Sequence, residues 1–383
     1  MKLTAQIKLR PTAEQAEALR KTMQQVNAAC NYASQRAWEA KALRQYDLHK
    51  MVYYDLRQKF GLSAQMAVRA IAKVADAYKV HKGEQRKFKP FGGIGYDDRI
   101  LRFVLPKQEV SILTLDGRIK LPFVCGERQL RLLQTQSGET DLVLVKGSFY
   151  LLAACEVETP EPFDVTGYLG VDRGIKNVAA TSDGKLYGGE ALLKRRGQLL
   201  ESRRTLQKAR AKRRQRGAST RSVRRRQKSI GRREHNLSQT VNHTVAKQIV
   251  ETAKTQRCGL ALEQLRGIMQ RVTVRHQQRY ALHSWAFDDL QGKIGYKAAL
   301  AGIPVAFVPS AYTSQECPSC GYTASHNRIS QSEFRCRQCG YANHADIVGA
   351  LNIQHRAVVN QPNARGSHGQ VPVTVDGQAV CFS

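Results

Sequence analysis

Three textures along 383 residues predict an α/β multidomain chain, with a β-barrel-like domain carrying a helical insertion placed ahead of an α/β domain. Helical spacing fills most of the first hundred residues. Short alternating strands occupy Tyr96 to Val157, and from Gly167 strands alternate with helical stretches. Hydrophobic residues at 42% and charged residues at 24% sit at globular values, which excludes wholesale disorder and fibrous architectures.

In order, Leu3 to Leu9 reads as a strand. Behind Pro11, Thr12 and Gln15 form a capping box, and Ala16, Leu19, Met23, Val26 and Cys30 recur at helical spacing. Ser63 caps another helix, with Ala67, Ile71, Val74 and Tyr78 on one face. These stripes read as core; Trp38, Tyr53 and Tyr54 could stack on bases, but packing is their expected role. Ile100 to Leu105 is a strand. Val110 to Leu115 and Arg118 to Val124 flank Asp116-Gly117 as a hairpin, and Leu142 to Val145 and Ser148 to Glu156 flank Lys146-Gly147 as another. Several short antiparallel strands imply a small barrel or sandwich. If Leu3 to Leu9 joins it, the helices become an insertion. Pro160 and Pro162 mark a boundary, after which Tyr168 to Val171, Ile175 to Thr181, Gly259 to Leu262 and Val305 to Val308 read as strands. From about Val358 to Ser383 the chain is aperiodic and rich in Gly, Asn, Gln and His, which reads as a tail.

Charge is the outlier of the composition. Lys plus Arg number 61 against 31 Asp plus Glu, a formal +30 with a sequence pI near 10.1. Such a chain repels itself when compact unless a polyanion neutralises it, so a nucleic acid is the expected partner. Lys194 to Glu234 holds 18 Lys and Arg against Glu201 and Glu234, a net +16 in 41 residues. Leu192, Leu193, Leu199, Leu200 and Leu206 add a thin apolar stripe, and Gly217-Ala218-Ser219 interrupts the segment. It reads as two basic helices joined by a turn, with a solvated arm as the alternative. Arg213, Arg214, Arg224, Arg225, Arg226, Arg232 and Arg233 are its candidate phosphate contacts, since guanidinium suits bidentate phosphate binding. The Met1-Lys-Leu-Thr start carries no apolar signal core and no run reaches the ~18 residues of a membrane span. A cytoplasmic, nucleoid-associated protein with reduced cysteines is the expectation.

Cys317, Cys320, Cys336 and Cys339 form C-x2-C, fifteen residues, C-x2-C, the spacing of a closed four-thiolate zinc site. With all four positions filled the Zn²⁺ is structural. Gly321 and Gly340 follow the two pairs and suit the tight turns. Cys30, Cys125, Cys155, Cys258 and Cys381 show no ligand spacing. Three carboxylates stand out in an acid-poor chain. Asp172 ends one apolar strand, Glu263 ends another, and Asp346 opens a helix running to about Arg356. Carboxylates so placed can converge on two Mg²⁺ about 4 Å apart, which stabilise the attacking and leaving oxygens of phosphodiester hydrolysis. Singly, each has a plainer role: a turn before Gly174 for Asp172, a helix cap for Glu263, and an N-cap for Asp346. Asp183-Gly184 reads as a hairpin turn.

The order of these segments resembles the split RuvC-like (RNase H fold) nuclease of the TnpB family, the transposon-encoded OrfB proteins related to type V CRISPR effectors. The matching residues are Gly170-Val171-Asp172-Arg173-Gly174-Ile175-Lys176, then Leu262-Glu263-Gln264-Leu265. Tyr312 to Gly321 carries the ribbon signature, and Asn343-His344-Ala345-Asp346-Ile347-Val348-Gly349-Ala350-Leu351-Asn352-Ile353 the third segment. Lys8-Leu9-Arg10-Pro11-Thr12 with Gln15 is similar to the family's start. Val348-Gly349 departs from the Asn-Ala of many members while leaving Asp346 in place.

The resemblance implies an RNA-guided DNA endonuclease whose guide derives from the transposon end and whose target is double-stranded DNA. Asp172, Glu263 and Asp346 become the catalytic, Mg²⁺-binding triad, and the four cysteines the zinc ligands. The implied organisation is a wedge-like barrel (1–10 and 90–160), a helical recognition lobe (11–89) and a split nuclease domain (165–312 and 344–357). That domain carries a basic helical insertion (190–236) and a zinc ribbon (313–343), and a flexible tail (358–383) follows. Two other readings stay open: a nuclease-silent RNA-guided binder or repressor, and an unguided zinc-ribbon DNA-binding protein or transposase.

Overall fold

A computed structural model describes residues 1–174, 176–264 and 287–359. Ile175, Leu265, Cys381 and nearly all of the expected tail lie outside the described residues. The chain divides into two units, Met1–Glu158 and Thr159–Ser383.

In the first unit β1 (Lys2–Leu9) leads to α1 (Ala13–Glu39), α2 (Gln45–Phe60) and α3 (Ala64–Val80). Then follow β2 (Ile94–Tyr96), β3 (Leu101–Val104), β4 (Glu109–Thr114), β5 (Gly117–Val124), α4 (Glu127–Leu133), β6 (Gln136–Val145) and β7 (Ser148–Glu156). The strands form one seven-stranded antiparallel sheet in the order β2-β6-β7-β1-β5-β4-β3. Its two edges, β2 and β3, are consecutive in sequence. The five Cα steps from Tyr96 to Leu101 span at most about 19 Å, whereas a flat sheet of this width would hold its edges about 29 Å apart. The sheet must therefore curl into a nearly closed barrel. β1 sits at its middle between β7 and β5, and the three helices lie in sequence between this strand and the rest of the sheet. Helices and barrel share one core, in which Leu19, Met23, Leu56 and Ile71 pack with Ile7, Ile112, Leu121 and Leu151.

Local chemistry explains most boundaries. The capping box behind Pro11 is formed, with the Gln15 N–H donating to Thr12 Oγ1 and the Thr12 N–H to Gln15 Oε1. Ser63 caps α3 through the Met66 N–H. The sequence gives no comparable sign of α2: it has no side-chain cap, and its buried stripe is only Leu48, Val52 and Leu56 among tyrosines and charges. β6 begins at Gln136, six residues before its apolar run, because its polar half pairs with β7 across an irregular register.

The second unit begins with β8 (Tyr168–Asp172), β9 (Asn177–Thr181) and β10 (Leu186–Gly188), then α5 (Glu190–Gln215) and α6 (Arg221–Thr255). β11 (Gly259–Glu263), α7 (Phe287–Leu300) and β12 (Val305–Val308) precede a small hairpin, β13 (Glu333–Arg335) and β14 (Ala342–His344), and α8 (Ala345–Val359). The main sheet runs β10-β9-β8-β11-β12, with β8, β11 and β12 parallel and β9 antiparallel to β8. Alternation divides its faces. Leu169, Val171, Leu260 and Leu262 pack with Val245, Ile249, Leu290 and Ile294 of α6 and α7. On the other face Ala261 packs with Ile353 and Ala357 of α8.

The basic segment forms an antiparallel helical pair. Partners step down α6 as they step up α5: Arg196 to Ser238 (2.7 Å), Arg203 to Glu234 (3.0 Å) and Arg213 to Ser222 (3.3 Å). α6 continues well past the charged stretch, and its second half lies in the core beneath the sheet.

Gly170 sets how closely α8 approaches β8. A Cβ there would lie 2.0 Å from the Ala350 carbonyl oxygen and 2.8 Å from the Gln354 nitrogen, both backbone atoms of the helix. Gly170→Ala is expected to force the helix off the strand and to destabilise the protein by about 2–3 kcal/mol or more, read as a fall in the denaturant midpoint of the second unit.

Candidate active site and metal centres

Parallel register brings two of the three carboxylates together. Leu262 is the partner of Val171, so Glu263 and Asp172 are next-door residues at the carboxyl ends of adjacent strands. Ligands of open α/β sheets bind at such strand ends. The alternation that turns Leu262 and Val171 toward α6 and α7 turns Glu263 and Asp172 toward α8. There Asp346, buried in the first turn of α8, completes the group.

Each carboxylate is held by groups from a different element. Asp346 Oδ2 accepts from the Asn177 amide (2.8 Å), and Oδ1 faces the Arg328 guanidinium (3.3 Å). Glu263 Oε1 accepts a short hydrogen bond from the Thr313 hydroxyl, and its backbone carbonyl accepts from the buried Arg173 (2.6 Å). Asp172 lies against the bare Cα of Gly349, where a Cβ would meet Oδ2 at 2.8 Å. The Gly349 departure noted in the sequence is thus a point of contact with Asp172, and alanine there requires the carboxylate to rotate.

Charge is crowded at this point. Burial, and then the negative charges of Glu263 and Asp346, push Asp172 up to about 8; Arg328 and Arg173 offset this only in part. Burial also raises Glu263, against the pull of Thr313, Arg173 and Arg356. A cluster of oxygen donors under such mutual repulsion is a donor set suited to hard divalent cations. The three are set wider than a single-ion cage: among the described residues, only the four cysteines have ligand atoms all within 4.8 Å of one another.

Those cysteines form two knuckles of the same build. The Gly321 N–H donates to the Cys317 carbonyl (2.9 Å) and the Gly340 N–H to the Cys336 carbonyl (3.1 Å). Both glycines have φ of +75°, the left-handed conformation such a turn needs. Sγ of Cys317 is 3.6 Å from that of Cys339, and Sγ of Cys320 is 3.6 Å from that of Cys336. A tetrahedron of thiolates at a Zn–S distance of about 2.3 Å has its sulfurs about 3.8 Å apart, so the four residues fit zinc. Burial raises the Cys336 thiol, but the N–H groups of Cys339 and Gln338, together with the Cys320 and Cys339 thiols, outweigh it and bring the group to about 7. Of the other cysteines, Cys30 is buried and pushed up to about 11, as an inert core thiol should be.

Among the candidate phosphate contacts, Arg214, Arg224, Arg225, Arg226 and Arg233 are exposed and Arg232 is half-buried. Arg213 is exposed but also donates to the Ser219 carbonyl (3.3 Å), closing the turn between the helices. Sequence reasoning gave no role to Arg173, Asn177, Thr313, Arg328, Asn352 or Arg356. Arg173, Thr313 and Asn352 stood inside the recognised segments, and that was their only signal.

The architecture defines a class first: a two-unit chain pairing a nearly closed barrel with an α/β unit that carries a carboxylate cluster and a four-cysteine ribbon. Within it, residues 287–353 match the family described as the Cas12f1-like TNB domain. The CRISPR-associated endodeoxyribonuclease Cas12f1 of Syntrophomonas palmitatica is 38% identical over 127 residues, 33% of this chain and 24% of that protein. Cas12f1 of Sulfoacidibacillus thermotolerans is 41% identical over 119 residues, 31% of this chain and 27% of that protein. InsQ of Escherichia coli (strain K12), named provisionally as an RNA-guided DNA endonuclease, is 48% identical over 65 residues, 17% of this chain and 16% of that protein. The matched stretch thus spans about a quarter of the length of the Cas12f1 relatives. By fold, the chain is similar to Cas12f1 solved with sgRNA and target DNA (TM-score 0.65, 15% identity, covering 90% of this chain and 83% of that one). It is also similar to the mini-RNA-guided endonuclease CRISPR-Cas_phi3 (TM-score 0.53, 13% identity, 94% and 93%). Over these stretches the chain is similar to Cas12f1 and InsQ, and its fold is similar to that of Cas12f1. No described helix is long and apolar enough to cross a membrane.

Two outcomes are expected. Cys336→Ser should lower bound zinc, measured by elemental analysis, and should lower the Tm, because ribbons of this kind depend on the metal for folding. Asp172 carries a raised pKa, so between about pH 4 and pH 8 the folded state binds more protons than the unfolded one. The metal-free protein should therefore lose stability as pH rises through that window. Asp172→Asn should flatten that part of the profile in denaturant unfolding series.

Proposed function

We propose that the chain is an RNA-guided endonuclease that cleaves target double-stranded DNA and is associated with a transposable element. The observation that carries the reading is the meeting of Asp172, Glu263 and Asp346 on one face of the second unit. That unit also holds residues 287–353, which match the Cas12f1-like TNB domain family. In this reading it is a split RuvC-like, RNase H-type domain, the basic helical pair is its insertion, and the barrel and helices form the wedge-like and recognition parts.

Asp172, Glu263 and Asp346 would hold two Mg²⁺, and Cys317, Cys320, Cys336 and Cys339 would hold one structural Zn²⁺. Bound Mg²⁺ would supply charge stabilisation to the attacking and leaving oxygens of the phosphodiester. The chain's own residues prepare the site. The register of β8 and β11 sets the spacing of Asp172 and Glu263, while Arg173 ties the end of β8 to the Glu263 carbonyl. Asn177 and Arg328 hold the Asp346 carboxylate. A buried site of this kind strengthens every charge interaction within it.

Sequence choice would fall to base pairing between a transposon-end-derived guide and the target strand, with the protein gripping the duplex by shape and charge. Arg214, Arg224, Arg225, Arg226 and Arg233 would contact phosphates along the helical pair, with Arg213 at the turn and the half-buried Arg232 adding to them.

Purification with nucleic acid and one substitution test the reading. The protein should retain a specific RNA. Asp172→Ala should keep that RNA but lose Mg²⁺-dependent cleavage of a matched duplex by several orders of magnitude, measured in single-turnover assays. Recovery of protein that neither binds nor needs RNA would remove the guide from the proposal, and normal cleavage by Asp172→Ala would remove the triad.

A further inference from the structure

The Glu263 side chain receives a hydroxyl, and that hydroxyl comes from fifty residues away. Thr313 is 4% exposed and stands in the segment 309–316 that leads into the ribbon. Its Oγ1 meets both Glu263 Oε1 and the Ser310 carbonyl oxygen (3.2 Å). An ordinary loop threonine would use only the local contact. Here the hydroxyl spans from the ribbon's root to the end of β11.

The backbone of this segment is fixed without help from that hydroxyl. Asn352, 2% exposed on α8, donates to the Thr313 carbonyl (2.8 Å) and the Glu316 carbonyl (2.7 Å). One turn on, Arg356 donates to the carbonyls of Pro309 (3.0 Å) and Ala311 (2.7 Å) and pairs with the Glu316 carboxylate (2.6 Å). The helix that carries Asp346 in its first turn thus also clamps the segment that presents Thr313 to Glu263. A rigid helix makes the placement of one carboxylate depend on that of the other.

We propose that Thr313 is a positioning residue for Glu263: its hydroxyl, presented by the Asn352 and Arg356 clamp, holds the Glu263 carboxylate in the orientation that binds divalent cation. This rests on the nuclease reading above. Groups that orient metal-binding carboxylates typically contribute about 10–100-fold to metal affinity or activity. Replacement of Thr313 by valine keeps the branched shape and removes only the oxygen, and serine restores it.

The test uses the full-length, zinc-loaded chain. With guide RNA bound, the Mg²⁺ concentration giving half-maximal cleavage is measured for wild type, Thr313→Val and Thr313→Ser. With RNA removed, Mn²⁺ binding is measured by the electron paramagnetic resonance of free Mn²⁺. Thr313→Val should raise the Mg²⁺ midpoint and weaken Mn²⁺ binding by about 10–100-fold, at unchanged zinc content and guide retention, and Thr313→Ser should return both toward wild type. If valine lowers the Tm, Thr313→Ser against Thr313→Ala, which differ by one oxygen, repeats the comparison. Midpoints that match wild type in the variant lacking the hydroxyl overturn the proposal. Asp172→Asn, measured alongside, separates two failures. If it cleaves normally, the nuclease reading falls and the role of Thr313 falls with it. If it is inactive while Thr313→Val behaves as wild type, only the role of Thr313 falls.

Discussion

Repulsion among three crowded carboxylates, Glu263 and Asp346 buried and Asp172 half-buried, is the constraint on which the second unit depends. Asp172 and Glu263 are forced together by strand register, and Asp346 is added by the helix that covers them. Left alone, such a group would stay partly protonated, as the raised Asp172 pKa indicates. Much of the neighbouring structure manages this charge. Arg173 and Arg328 bring positive charge and Asn177 and Thr313 bring donors, one of each from where β8 passes into β9 and one of each from the stretch between β12 and α8. The apolar faces beneath carry the stability that the site itself cannot, through the packing of α6 and α7 against Leu169, Val171, Leu260 and Leu262.

The same tension explains why the ribbon sits where it does in the sequence. The stretch between β12 and α8 supplies the four cysteines, and its root and loop also supply Thr313 and Arg328. Metal binding at the cysteines would stabilise a short stretch that has little core of its own: Phe334, Ala345 and Val348 with two of the cysteines. One ordered segment can then present polar side chains to the carboxylates with defined geometry, which a loop alone would not do.

What the sequence made legible was local. The capping box at Thr12, the cap at Ser63, the strand Ser148–Glu156 and the cysteine spacing all encode structure within a few residues, and each is found as read. Patterns of apolar alternation gave most strands of both sheets, apart from the three-residue β2 and β10 and the polar start of β6. α2 escaped because tyrosines and charges dilute its stripe. Contacts made only in three dimensions could not be read at all. The closeness of Gly170 to the helix backbone, the Thr313 hydroxyl on Glu263 and the Arg173 reach to a carbonyl 90 residues on have no local pattern. For the carboxylates, alternation along each strand fixed the face, but only the parallel register could make neighbours of Asp172 and Glu263.

α6 joins the two themes of charge and catalysis. It is a single helix of 35 residues, so it runs about 52 Å. Its first turns, from Arg221 to Arg233, present guanidinium groups to solvent; its last, from Val245 to Ala253, are sealed under the strands that carry Asp172 and Glu263. Arg203 and Arg196 of α5 brace it along the way. A polyanion gripped at the far end would therefore be held on a rigid arm whose other end is built into the sheet. The helix acts as a ruler: the distance between the grip and the carboxylates is set by a count of residues rather than by a flexible tether, and an insertion of one turn would move the grip by about 5.4 Å.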